Sequence, residues 1–264
     1  MAWSDFGRRL ESAAANTWRN VRLPGALWYL AAAAFATSGA GILIGNKFVL
    51  PALDVAAALP VYVWVRLHRG FQGAAFALLF WSFCKAVAIT FFTVLFPAQA
   101  GAAVAYGASY AQAMTLWVGS GMDVGGLGAW GTWRLKEAAA LAGLSLPTAG
   151  VGGLVLAAIL LNCQAYYLGT LFLRAAEPWR VVLLGWPVWE VFRALAFVNI
   201  LLAAAEPTLS WICRRPVRGR DLRDGAVLAF LMMAAAYVAH IYLALWWREA
   251  LAPALYFDVP AATL

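Results

Sequence analysis

An all-α, polytopic transmembrane helix bundle is the fold class this sequence predicts, and three observations predict it. Of 264 residues, 64% are hydrophobic and only 12% are charged, against roughly 45–50% and 25% in soluble domains. A soluble chain of this size cannot hide so much apolar surface from water. Apolar runs approaching the ~20 residues that cross a bilayer core recur along the chain. The 19 Lys and Arg outnumber the 12 Asp and Glu, and they concentrate in a few connecting segments, as the positive-inside rule describes. Together these observations exclude an ordinary cytosolic enzyme, a disordered chain and a nucleic-acid module.

Residues 1–23 place Trp3, Phe6, Leu10, Ala14 and Trp18 at helical spacing, with Arg8, Arg9, Glu11 and Arg19 on other faces. This pattern predicts an amphipathic helix lying on the cytoplasmic leaflet. The segment has no apolar core of a cleavable signal peptide, so the first span is expected to act as the targeting signal. The remainder, 24–264, is read as one transmembrane domain. Its expected spans are about 27–45, 48–65, 72–97, 100–119, 150–173, 181–205 and 226–247. Gly41 and Gly45 give the first span a GxxxG packing face. The fourth span is the weakest, being rich in Gly, Ala and Ser. If it is re-entrant or interfacial, six spans remain.

Loop charges arbitrate between seven and six. With seven spans and the N-terminus inside, thirteen of the 19 basic residues are cytoplasmic, four are outside, and Lys85 and Arg193 lie within spans. With six, the dense run of Arg214, Arg215, Arg218, Arg220 and Arg223 falls outside, against the rule. Seven spans, N-in and C-out, is therefore the expected arrangement. Two loops stand out. Residues 120–149 begin Gly-rich and continue as a short helix-like stretch from Trp130 to Leu144, stopped by Pro147, with Trp130 and Trp133 suited to a headgroup-level anchor. Residues 206–225 are strongly basic, suited to lipid or to a docked partner. The glycines of the first loop match neither GxGxxG after a strand nor a P-loop.

Ionisable groups at membrane depth cost several kcal/mol unless paired or wet, which makes them the best functional pointers. The candidates are Asp54, Lys85, Glu190, Arg193 and His240, with Asn162 and Gln164 adding uncharged polarity. At ~1.5 Å per residue they lie about 9–18 Å below the outer ends of their spans, so one shared polar cluster is expected. Glu190 and Arg193 are three apart and share a helix face. Lys85 has no acid on its own span and needs Asp54 or Glu190 from another. Pro187 removes a backbone hydrogen bond, so a kink is expected there. His240 is expected to pack among Tyr237, Tyr242 and Trp246.

Only two histidines are present, and the three cysteines have no ligand spacing. No metal site and no cofactor is expected. Nucleophile, Walker and aspartate-rich motifs are absent. Three function classes remain. The first is a non-catalytic inner-membrane subunit of an envelope complex, a secretion or conjugation channel or an energy-transducing assembly, contacting the bilayer and other membrane subunits. The second is a small-solute or ion transporter using the Lys/Glu/Asp/Arg cluster. The third is a lipid- or isoprenoid-modifying enzyme with a buried acid. Composition and compact loops point to a bacterial inner membrane.

Overall fold

In the computed structural model, residues 23–121 and 126–256 are described, with backbone alone at 126–130. Trp3, Phe6 and Trp18 of the predicted amphipathic helix lie outside the described residues, and so does the Trp130 side chain. The described residues form ten α-helices: α1 Leu23–Ile44, α2 Val49–His68, α3 Gly70–Leu95, α4 Pro97–Ala103, α5 Gly107–Ser120, α6 Gly126–Ser145, α7 Val151–Leu173, α8 Pro178–Leu184, α9 Val188–Ile212 and α10 Gly219–Leu251. A 3₁₀ turn, Ala252–Ala254, follows. Six of these helices, α1, α2, α3, α7, α9 and α10 with its 3₁₀ extension, are long and apolar enough to cross a membrane. Helices suit that medium because each satisfies its own backbone donors and acceptors.

The expected fourth span, 100–119, is not among them. Pro97 starts a seven-residue helix that stops at Ala103, and Tyr106 sits in the left-handed region (φ 62°) before α5 begins. Small residues and a broken backbone leave two short helices where one span was expected. Within the predicted loop 120–149, the helical stretch expected from Trp130 to Leu144 is longer than expected. Most of the loop is α6, 20 residues long, or about 30 Å at 1.5 Å per residue.

The two ends of the bundle can be traced from close approaches. Thr93, near the end of α3, lies against Gly169, near the end of α7. The start of α7 lies at the other end, where the Tyr62 hydroxyl donates to Ala149 O (3.3 Å) and Gly150 faces Ala205. The chain must therefore travel the length of the bundle between Leu95 and Val151. Helices α4 and α5 stay near the Leu95 end. There the Cys163 thiol donates to Ala105 O (2.9 Å), and Tyr110 meets Tyr167 edge-on. The return is made by α6, which packs on α7 and α9 and ends with Ser145 against Gly153.

The core follows from small residues at crossings. A Cβ on Gly169 would stand 2.5 Å from the Thr93 Cβ, so α3 and α7 approach as closely as they do only because position 169 has no side chain. Gly41 is used the same way, since its Cβ would meet Leu50 at 2.6 Å. The expected GxxxG face is not formed as such, because Gly45 lies past the end of α1 in the left-handed region (φ 68°) and only Gly41 packs against α2. Around these crossings two apolar clusters fill the bundle. One, near the His68 end, is built on Tyr62, Trp81, Leu154 and Leu201. The other, near the Leu95 end, is built on Ile89, Tyr167, Trp189 and Trp247. The longest helix, α10, is the most peripheral and packs chiefly along α9.

Candidate functional site

The sequence predicts one polar cluster, and the structure forms two. The reason is helical phase. Asn162 and Gln164 are two apart on α7, and residues at i and i+2 face different sides. Each side meets a separate set of charges.

On one side, Asp54 (α2), Lys85 (α3) and Asn162 (α7) come together, all buried. The Lys85 ammonium forms an ion pair with Asp54 and donates to the Ser38 hydroxyl at 2.9 Å. Asp54 also accepts from the Thr37 hydroxyl (3.0 Å) and the Asn162 amide (3.1 Å). Of the two partners expected for Lys85, Asp54 is the one found. The network ties α1, α2, α3 and α7 together, with neighbouring donors completing the ion pair.

On the other side lies the second network, and half of it comes from the segment expected to be a loop. On α6, Arg134 pairs with Glu137 through Nη1 at 2.9 and 2.8 Å. On α9, Arg193 pairs with Glu190 as expected. Both pairs have i,i+3 spacing. The helices run in the same direction, so Arg134 stands level with Glu190 and Glu137 with Arg193. The cross-helix contacts are the longer ones: Arg134 to Glu190 at 3.6 Å and Arg193 to Glu137 at 3.9 Å. All four side chains are at most 10% exposed. Gln164 donates to Glu190 from α7, and the Trp133 indole donates to Glu137 at 3.0 Å.

Local sequence explains the placement. Pro187, in extended conformation, ends the turn after α8 and opens α9, so Glu190 falls in the first turn of α9. The expected kink is corrected: Pro187 precedes the helix rather than bending it. A carboxylate in a first turn is favoured by the helix dipole. A lone buried charge costs several kcal/mol, but each helix brings a pair that is already neutral.

Three cavities touch this second network. One of about 60 Å³ is lined by Trp81, Leu160, Gln164, Arg193 and Phe197. One of about 20 Å³ is lined by Tyr110, Gln164, Trp186, Pro187 and Glu190. Both exceed the roughly 10–15 Å³ a water needs. The third, about 420 Å³, is a groove between α6 and α10, lined by Gly131, Thr132, Arg134, Leu135, Phe230, Met233, Ala234 and Tyr237. None of the three is lined by Thr37, Ser38, Asp54, Lys85 or Asn162.

A further ion network closes the His68 end. Fully buried Glu206 pairs with Arg66 and with Arg215 at 3.1 Å, and it accepts from the Ser210 hydroxyl at 2.9 Å. Arg66 also reaches Asp221 at 3.2 Å. Burial draws the Arg215 guanidinium below its ordinary pKa, with Glu206 opposing. The sequence reading puts Arg66 and Glu206 in loops, but both lie inside helices. Arg218 contacts Asp221 at 3.9 Å, whereas Arg220 and Arg223, both largely exposed, pair with Asp224.

His240 joins an aromatic group. It stacks on Trp117 and meets Trp189 edge-on, with Trp247 completing the aromatic group. These partners differ from the expected Tyr237, Tyr242 and Trp246, because α5 and α9 pack against that face of α10. Trp133, expected as a headgroup anchor, lies on α6 and is 61% exposed.

Compared with protein-family models, curated proteins and solved structures, the chain shows no match.

Proposed function

We propose that this multi-pass membrane protein is a transporter for an organic anion, and that the seam between α6 and α9 handles the substrate. One observation carries the reading. The four charges of the seam are paired within their own helices and only loosely across, at 3.6 and 3.9 Å, and three cavities are lined by members of this network. Helices that each carry a neutral pair separate without stranding a charge. An anion arriving at the seam engages Arg134, while Glu190 keeps Arg193 and Gln164. The Asp54–Lys85 network, by contrast, serves as a fixed brace.

In this reading α6 is the charged fourth crossing of seven, and the arginine-rich His68 end faces the cytoplasm. Transport is favoured over the enzyme alternative by what the groove presents. A lipid-modifying acid would sit at the end of the cavity, but Arg134 lines it and both glutamates are held in ion pairs. The basic segment 214–223 offers modest support for a docking subunit, since most of its arginines are taken up by Glu206, Asp221 and Asp224.

The test is charge movement in proteoliposomes on a solid-supported membrane, after jumps of octanesulfonate, which cannot cross as a neutral acid. Wild type should give a transient current that Glu190→Gln reduces about tenfold, a change of roughly 1.4 kcal/mol. Absence of a wild-type current, or an unchanged current in Glu190→Gln, would overturn the reading.

A further inference from the structure

We infer that water is bound inside the bundle at two places along α9, one on each side of Gln164. The inference goes beyond the transport reading and does not depend on it. It starts from buried polar atoms that the fold leaves over. The Trp81 indole Nε1 and Arg193 Nη1 are buried and have no hydrogen-bond partner among the described residues. Glu137 faces Arg193 Nη1 at 3.9 Å, beyond hydrogen-bond length. Trp81 and Arg193 line one cavity, of about 60 Å³. The Trp186 indole Nε1 and the Tyr167 hydroxyl are left over in the same way, and these two residues line a second cavity, of about 20 Å³. Buried polar atoms in folded proteins are nearly all paired, so two at each cavity call for an occupant.

The donors select that occupant. Indole and guanidinium N–H groups only donate, so whatever sits beside them must accept. Hydrocarbon accepts nothing. An anion accepts, but the two arginines and two glutamates of the seam already cancel, and a further negative charge would stand against the glutamates. Water is the neutral acceptor of the right size. A buried water makes two to four hydrogen bonds and needs roughly 10–15 Å³, so the smaller cavity holds one molecule and the larger a few. In the smaller, water accepts from Trp186 and donates to Glu190, with the Tyr167 hydroxyl as a third partner. In the larger, water accepts from Trp81 and Arg193, and Ser82 and Gln164 on the wall take its own hydrogens. The rest of that wall is mostly apolar, so these few groups fix the water's place.

The two sites follow one another along α9. Pro187 and Glu190 mark the smaller cavity, and Arg193, Phe197 and Leu201 mark the larger. Pro187 to Leu201 covers about 21 Å at 1.5 Å per residue, much of a ~30 Å hydrocarbon core. Of the residues lining the two cavities, Gln164 alone is shared. Its amide donates to Glu190, which holds the side chain in place as the partition between them. The ion pair of Glu190 and Arg193 is thereby hydrated from both ends.

The experiment is X-ray radiolytic footprinting of the purified full-length chain in maltoside, read residue by residue by mass spectrometry. X-rays turn water into hydroxyl radicals, and a radical formed from a bound water oxidises the ring beside it where radicals from bulk water do not reach. Trp81 is 2% and Tyr167 3% exposed. Trp189 and Tyr62, 2% and 1% exposed, line neither cavity and serve as controls. In wild type, Trp81 should be oxidised faster than Trp189, and Tyr167 faster than Tyr62. Ala194→Leu enlarges an apolar side chain on the wall of the larger cavity. It should abolish the excess at Trp81 and leave the excess at Tyr167. Wild-type rates at Trp81 and Tyr167 no higher than at their controls would overturn the inference, and that comparison needs no variant. An excess at only one of the two would overturn the water site at the other. An excess at Trp81 that survives Ala194→Leu would overturn the larger cavity as its source, and loss of both excesses would overturn the partition at Gln164. The transport reading fails separately, since absence of an octanesulfonate current leaves the water sites standing.

Discussion

Replacing Lys85 by Met tests whether the Asp54–Lys85 network is a brace. Both side chains are fully buried. Met matches the length of the lysine stem but removes the ammonium, leaving Asp54 with two neutral donors, Thr37 at 3.0 Å and Asn162 at 3.1 Å. Breaking a buried pair by removing one partner typically costs 3–5 kcal/mol. The double variant Asp54→Asn with Lys85→Met removes both charges and preserves the volume. The amide oxygen introduced at position 54 still accepts from Thr37, and its NH2, in place of the oxygen that faced Asn162, donates to the Asn162 side-chain oxygen once that amide turns over. What is lost is hydrogen bonding worth about 1 kcal/mol per bond, so the double variant should cost about 1–2 kcal/mol. The single variant should therefore be less stable than the double by ~2–3 kcal/mol, a coupling of the size expected for contacting residues. Thermal unfolding in detergent, followed by tryptophan fluorescence, gives the order. A double variant no more stable than the Lys85→Met single, or a single variant that unfolds like wild type, would refute the reasoning.

Two other predictions concern the ends and crossings. Glu206→Gln removes the buried carboxylate that holds Arg66 and Arg215. The segment from Cys213 to Arg218 should loosen, and trypsin should cut after Arg214 or Arg215 faster than in wild type; an unchanged cleavage rate contradicts this. Gly169→Ala drives a methyl into Thr93, where the Cβ separation would be 2.5 Å. Overpacking of this kind costs about 1–3 kcal/mol, visible as a lower unfolding midpoint. Thr93→Gly should recover part of it, and no recovery would mean that α3 and α7 do not cross there.

How much of this was legible in the sequence depends on the kind of signal. Five long apolar runs correspond closely to α1, α2, α3, α7 and α10, because twenty apolar residues leave little else to do in water. The span expected at 181–205 is the exception, split by Gly185–Pro187 and shifted to 188–212. The helical stretch from Trp130 to Leu144 is legible, but it reads as part of a loop and not of the bundle because hydropathy penalises Arg134, Lys136 and Glu137. Yet the same i,i+3 spacing that singled out Glu190 and Arg193 also marks Arg134 and Glu137. Read as a neutral pair, they were the available sign of a helix inside the bundle. Arg66 and Glu206 were lost to boundaries, since charges near the end of an apolar run look like loop residues until a partner is seen. The separation of Asn162 from Gln164 needed only helical phase, which depth along the membrane normal does not carry.

If the proposed function is right, the α6–α9 seam opens to water while the Asp54–Lys85 brace does not. Two single-cysteine proteins decide it, Gln164→Cys at the seam and Ser38→Cys at the brace, each with Cys84, Cys163 and Cys213 changed to Ala. Both are reconstituted in liposomes and treated with a charged, membrane-impermeant thiol reagent. The cysteine at 164 should be labelled and the one at 38 should not. Equal protection of both positions would contradict it, leaving the seam as a second structural brace.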